Sequence, residues 1–210
     1  MKEIKVRLTL TEEILGTASG NPNLHSDFIA SKAPDAKSRE EEVAAIGTDA
    51  EIEKSMTVFP RDEQGNPIMW DYQLKGFFKD ACGMLRKVTG TKSAGCKAYK
   101  KTIDGMIFVS DRKIPFENVT EIGNCQRPLR AQTAQGERIS LANSETIPAG
   151  ASLTFTVICL NDTDISLVKE WLDYGKLRGL GQWRNSGKGK FTWELLEENT
   201  CSYADFIASA

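Results

Sequence analysis

The sequence predicts an α+β protein whose core elements follow one another as strand, helix, strand, strand, helix and strand. Three observations predict this order. They are an alternating apolar pattern near the N-terminus, a second one near 151–160, and two apolar stripes at helical spacing, near 71–88 and 164–174. The chain has 210 residues, 40% hydrophobic and 27% charged. Because these fractions are ordinary for globular proteins, we expect one folded domain over 1–210.

The first strand is predicted near 2–11, where every second residue is apolar: Ile4, Val6, Leu8 and Leu10. It is followed by a predicted insertion, 16–70, whose glycines and prolines indicate loops. Within this insertion we expect a short acidic helix over 38–46 and a short strand over 56–59. The first core helix then begins at Asp71, which we predict as its N-cap.

This helix, over 71–88, has one apolar stripe made of Leu74, Phe77, Phe78, Ala81, Leu85 and Val88. At about 100° per residue, Lys75, Lys79 and Arg86 fall within about 40° of one another on a different face. These three cations are therefore expected on the surface, where they can contact a polyanion.

The second half of the chain supplies the remaining core elements. We expect a basic loop over 92–101, a strand over 104–109, and irregular structure over 115–136 within a second insertion, 112–148. An alternating strand follows at 151–160, then a helix over 164–174 that ends at Gly175 as its C′ residue. The last strand is predicted near 190–196. Without the insertions this order is βαββαβ, the ferredoxin-like (RRM-like) arrangement.

A glycine-rich, basic segment lies just before the last strand. The net charge of −2 does not reveal this local concentration of cations. The middle of the chain is basic as well, since 75–130 holds 12 Lys and Arg against 5 acidic residues. Glycines permit positive φ angles, and such turns can point several N–H groups at one phosphate. The cations can neutralise phosphates, and a tryptophan can stack on a base. The predicted contacts are Lys176, Arg178, Gly179, Gly181, Trp183, Arg184, Gly187, Lys188, Gly189 and Lys190.

A second basic pair, Arg127 and Arg130, flanks a proline in the second insertion. Guanidinium groups match phosphate geometry, so both arginines are candidate nucleic-acid contacts. They could equally pair with the acidic segment 35–63, in the same chain or in a neighbouring copy.

Three segments resemble one known family. Gly179 to Gly181, Arg184 and the run 187–191 resemble the glycine-rich loop of the RAMP superfamily, the RNA-binding subunits of CRISPR effector complexes. The segment 71–78 resembles the start of the first helix in type III backbone subunits, although Tyr72 and Gln73 replace paired serines. The segment from Arg138 and Ile139 through 145–150 and 153–155 resembles the family's entry into a core strand. The resemblance implies a ferredoxin-like fold that grips an RNA backbone, in a divergent stand-alone or mobile-element member.

We therefore expect a non-enzymatic, cytoplasmic protein that binds the backbone of single-stranded RNA or DNA, as an oligomer or as a subunit of a nucleoprotein complex. No cofactor, metal or membrane is expected: the five cysteines never form Cys-x-x-Cys, and no apolar run is long enough to span a bilayer. Two alternatives remain. One is a binder of a nucleotide or cyclic oligonucleotide in phage–host conflict. The other is an endoribonuclease that uses His25 or Asp27.

Overall fold

The computed structural model of the chain describes residues 1–20, 56–133 and 136–204, with the backbone alone for 129–133 and 136–141. The fold is α+β, as predicted. Its strands are β1 (Lys2–Leu10), β2 (Ile14–Leu15), β3 (Ala18–Ser19), β4 (Met56–Val58), β5 (Ile68–Trp70), β6 (Ile107–Val109), β7 (Lys113–Glu117), β8 (Gly123–Thr133), β9 (Gly136–Ile147), β10 (Ser152–Cys159) and β11 (Phe191–Thr200). Its helices are α1 (Asp71–Leu85), α2 (Tyr99–Met106) and α3 (Ile165–Arg178).

The larger sheet is antiparallel and runs β11-β1-β10-β7-β5, with β6 also paired to β10. Alternation in β1 turns Ile4, Val6 and Leu8 inward, where they are buried. The core cluster joins this face to the buried residues of α1 and α3, including Phe78 and Trp171, whose ring centroids are 5.7 Å apart. The predictions of strands at 2–11 and 151–160 and of the first core helix are confirmed.

The smaller sheet is built around a long ribbon of two strands, β8 and β9, which pair antiparallel from Gly123↔Thr146 to Thr133↔Gly136. At its base, β9 also pairs with β2 and β4. The prediction of irregular structure over 115–136 is therefore wrong. Pro128 argues against a central strand, but among the described strands β8 pairs with β9 alone, and an edge strand tolerates proline. Pro115 lies in β7, which pairs with β5 and, at Phe116 and Glu117, with β10.

Two other predicted boundaries are wrong. Residues 104–106 end α2 rather than begin a strand. This eight-residue helix buries only Ile103, too little for a periodic signal. Gly175 lies inside α3, not after it, since α3 continues to Arg178 and is capped by Gly179 at φ 72°. A Cβ atom at Gly175 would lie 2.5 Å from Cε1 of Phe191, so close packing explains this glycine.

The start of α1 also differs from the prediction. Asp71 is the first helical residue and Trp70 is the N-cap. The Trp70 backbone N–H donates to Oε1 of Gln73 at 2.8 Å, and Oδ1 of Asp71 accepts from Nη1 of Arg112 at 2.8 Å. Within the described residues, no helix combines the length and the apolar character needed to cross a membrane.

Candidate nucleic-acid interface

The glycine-rich loop between α3 and β11 folds back on itself. The Leu180 N–H donates to the Gly189 carbonyl at 2.8 Å, and the Gly189 N–H donates to the Glu13 carbonyl at 2.8 Å. A Cβ atom at Gly179 would lie 2.5 Å from the Lys188 carbonyl oxygen. The φ angles of Gly179, Gly181, Gly187 and Gly189 are all between 70° and 86°. These glycines allow two backbone segments to pack directly together.

This packing occupies backbone N–H groups that the sequence analysis predicts as hydrogen-bond donors to phosphate. The N–H groups of Gly179, Gly187 and Gly189 donate to the carbonyls of Gly175, Arg184 and Glu13. These three N–H groups are therefore engaged within the protein.

Two of the predicted arginines share one carboxylate oxygen. Oδ2 of Asp80, on α1, accepts from Nε of Arg178 and from Nη1 of Arg184, each at 2.8 Å. Arg178 lies in the last turn of α3 and Arg184 in the loop, so Asp80 holds both elements against α1. One carboxylate neutralises only one of the two guanidinium groups. The cluster therefore retains positive charge at a partly exposed position.

The loop is also attached to the base of the ribbon. The guanidinium of Arg127 lies 5.1 Å from the ring centroid of Trp183 and donates to Oε1 of Gln182 at 3.1 Å and to Oγ of Ser144 at 3.3 Å. Nε2 of Gln182 donates in turn to the Gly16 carbonyl at 2.6 Å. Trp183 has a left-handed backbone at φ 53° and is 41% exposed. Arg127 is thus a buried support for this ring rather than a free surface cation.

The lysines of the loop region differ in their surroundings. Lys188 forms an ion pair with Glu13, and this hydrogen bond raises the pKa of the Lys188 ammonium. Lys176 belongs to α3, and its Nζ lies 3.9 Å from Oδ1 of Asp173. Nζ of Lys190 extends back over Gly187, 3.7 Å from where a Cβ would stand.

The helix cations lie apart from the loop cluster. Nζ of Lys75 donates to the Asp104 carbonyl at 3.2 Å and lies 4.9 Å from the Phe108 ring centroid. Desolvation lowers its pKa. Nζ of Lys79 lies 2.5 Å from Oδ1 of Asp104. Arg86 lies over the Tyr99 ring. These three side chains contact α2 and β6, not the glycine-rich loop. The side chain of Arg130 lies outside the described part of the structure.

A groove that the sequence did not predict lies beside the arginine cluster. Its volume is about 350 Å³, and its walls come from β2 and β3, from Phe59, Pro60 and β5, from the first turns of α1, and from Leu180, Gly181 and Arg184. The Trp70 indole N–H is buried and meets no acceptor among the described residues. The walls of the groove come from segments that are far apart in the sequence, so no local sequence pattern predicts it.

Several predicted features lie outside the described residues: His25, Asp27, the acidic helix over 38–46 and most of the acidic segment 35–63. In the portions that the structure does describe, no group of three or more His, Cys, Asp or Glu side chains is placed to hold a metal ion.

No protein-family model and no curated protein matches the sequence. Among solved structures, the chain is similar to a chain of a type III-B Cmr-beta complex, determined by cryo-electron microscopy with cognate target RNA bound. The identity is 10% and the TM-score 0.49, over 94% of this chain and 60% of the other. The chain thus spans about three fifths of the length of the protein that it matches.

Proposed function

We propose that this chain is a single-domain, ferredoxin-like protein of the RAMP type that binds single-stranded RNA or DNA without cleaving it. The strand order β11-β1-β10-β6 supports the fold, since every neighbouring pair is antiparallel. The helix α1 precedes β6, and α3 connects β10 to β11, as a split βαβ arrangement requires. The three motif segments described above support the family.

The observation that carries the function is the pair of guanidinium groups on Asp80. Arg178 and Arg184 are held side by side with excess positive charge, and Arg184 lines the groove. Guanidinium groups bind phosphate with fixed geometry. The exposed edge of Trp183 next to Arg184 offers a surface for stacking a base.

The open face of the larger sheet is a poorer candidate. There, Lys5 pairs with Glu197 at 3.6 Å and Arg7 with Glu194 at 3.2 Å. These pairs cancel the charge that would attract a phosphate backbone. We therefore place the nucleic acid at the loop and groove, not across the strands.

The proposal includes assembly and location. Leu195 and Leu196 are 42% and 37% exposed on β11, which lies at the end of the larger sheet. Exposed apolar side chains on an edge strand favour contact with another chain. We propose a cytoplasmic oligomer or a subunit of a nucleoprotein complex.

The test is fluorescence anisotropy with labelled single-stranded RNA and DNA of several lengths across a salt series. For single strands, each lost phosphate contact reduces the log–log salt slope by about 0.7. The double variant Arg178→Gln/Arg184→Gln should therefore bind more weakly, with a slope reduced by about 1.4.

The matched control is Lys5→Gln/Arg7→Gln, which also removes two cations from ion pairs but on the open sheet face. It should bind like the wild type. If the control loses affinity and the loop variant does not, the site is misplaced. Absence of binding at low salt by the wild type contradicts the proposal as a whole. Intact RNA after prolonged incubation is expected, and cleavage would favour the ribonuclease alternative.

A further inference from the structure

A second pocket, separate from the groove, lies between α2 with its preceding loop and the start of α3. Its volume is about 410 Å³, within the range of small-molecule sites. Met106 and Leu167 give it accessible apolar surface, while Asn161 and Asp164 supply polar groups. None of its lining residues is shared with the groove.

The chemical feature that distinguishes this pocket is a buried carboxylate without a cation. Asp164 is 7% exposed, and no described cation lies within ion-pair distance of it. Its side-chain contact is a long one, 3.4 Å from Nδ2 of Asn161. Burial raises the pKa of this carboxyl group. A buried charge without compensation is costly, and a ligand that donates hydrogen bonds would remove that cost.

The lining also carries the opposite charge, on the exposed residue Lys97. A cationic side chain from a partner protein would be repelled by this lysine. A ligand with an anionic outer end and a donor-rich inner end suits both regions, and a nucleotide has this polarity.

We propose that this pocket binds a guanine nucleotide. Guanine presents two adjacent donors, N1–H and the 2-amino group, next to the acceptor O6. The Asp164 carboxylate would accept from both donors, and Nδ2 of Asn161 would donate to O6. The base would lie against Met106 and Leu167, with its phosphate at Lys97. This site is independent of the glycine-rich loop and of the function proposed for it.

The test is isothermal titration of the full chain with GMP, AMP, IMP and XMP. A bidentate contact to a base discriminates by about 5- to 150-fold. GMP should therefore bind at least about fivefold more tightly than AMP, and IMP, which lacks the 2-amino group, should lie between them. Equal affinity for all four, or no binding, would overturn the proposal.

The decisive variant is Asp164→Asn. An asparagine amide donates where the carboxylate accepts, so it matches the C2 carbonyl of xanthine and not the 2-amino group of guanine. The variant should lose GMP affinity and prefer XMP. It removes an uncompensated buried charge, so we expect it to fold.

The matched control is Asp162→Asn, which removes the same charge two residues away, from a carboxylate that pairs with the N-terminal amine at 2.9 Å. It should keep the GMP preference. An unchanged nucleotide preference in Asp164→Asn would refute the proposed contacts. Tighter binding of arginine amide than of GMP would show that the pocket receives a protein side chain instead.

Discussion

Replacing Gly175 by alanine tests whether the packing between α3 and β11 outweighs helix propensity. Alanine in a helix interior is favoured over glycine by about 0.8–1.0 kcal/mol, so the sequence alone predicts stabilisation. In the structure, however, the new Cβ would overlap the ring of Phe191, which is fully buried and packs edge-on against Phe77 at 5.4 Å. Forcing such a ring aside costs about 3 kcal/mol, the upper end for overpacking. The net expectation is a loss of about 2 kcal/mol.

The assay is equilibrium urea unfolding, in which the midpoint should fall without a change in slope. The matched control is Gly76→Ala in α1, where a Cβ would meet nothing within 4 Å. That variant should gain up to about 1 kcal/mol. If Gly175→Ala is as stable as the wild type while Gly76→Ala is stabilised, the close contact with Phe191 does not hold.

Two further predictions concern carboxylates. Glu170 accepts from the backbone N–H groups of Lys92 and Ser93 at 2.6 and 3.0 Å, and from Oγ of Ser93 at 2.5 Å. Glu170→Ala leaves donors of the buried Ser93 unpaired and should cost about 1–3 kcal/mol in urea unfolding; unchanged stability would contradict this role. Burial raises the folded-state pKa of Asp164 above 3.8, so its charged form destabilises the fold at neutral pH, and protonation removes that cost as the pH falls. At pH 7, Asp164→Asn should therefore have a higher free energy of unfolding than the wild type. This difference should shrink as the pH falls toward 3.8, as measured by unfolding curves at several pH values. A difference that does not depend on pH would contradict this.

The sequence predicted the elements whose residues carry their own periodic signal. Strict alternation in β1 and β10 and the apolar stripe of α1 identified them, because burial on one face imposes a period. α2 lacked that signal, since only Ile103 is buried. Gly175 was predicted to follow the helix because the sequence does not distinguish a glycine that allows close packing of a neighbouring side chain from a glycine that allows a positive φ angle.

The partners of the predicted site residues could not be predicted, because they lie far away in the sequence. The cations of the glycine-rich loop were identified from composition, but their carboxylates were not. Asp80 is 98 residues from Arg178, and Gln182 reaches the Gly16 carbonyl across 166 residues. Such pairings depend on the completed fold, and a single sequence contains no local pattern that marks them.

The position of β1 in the larger sheet has a consequence for synthesis on the ribosome. Both strands that flank β1 come from the far end of the chain, beginning at Ser152 and Phe191. At about 5–20 residues per second, β1 waits roughly 7–30 s for its first neighbour to be translated. During that time the apolar side chains of Ile4, Val6 and Leu8 have no sheet to enter, so the nascent chain is expected to engage chaperones early.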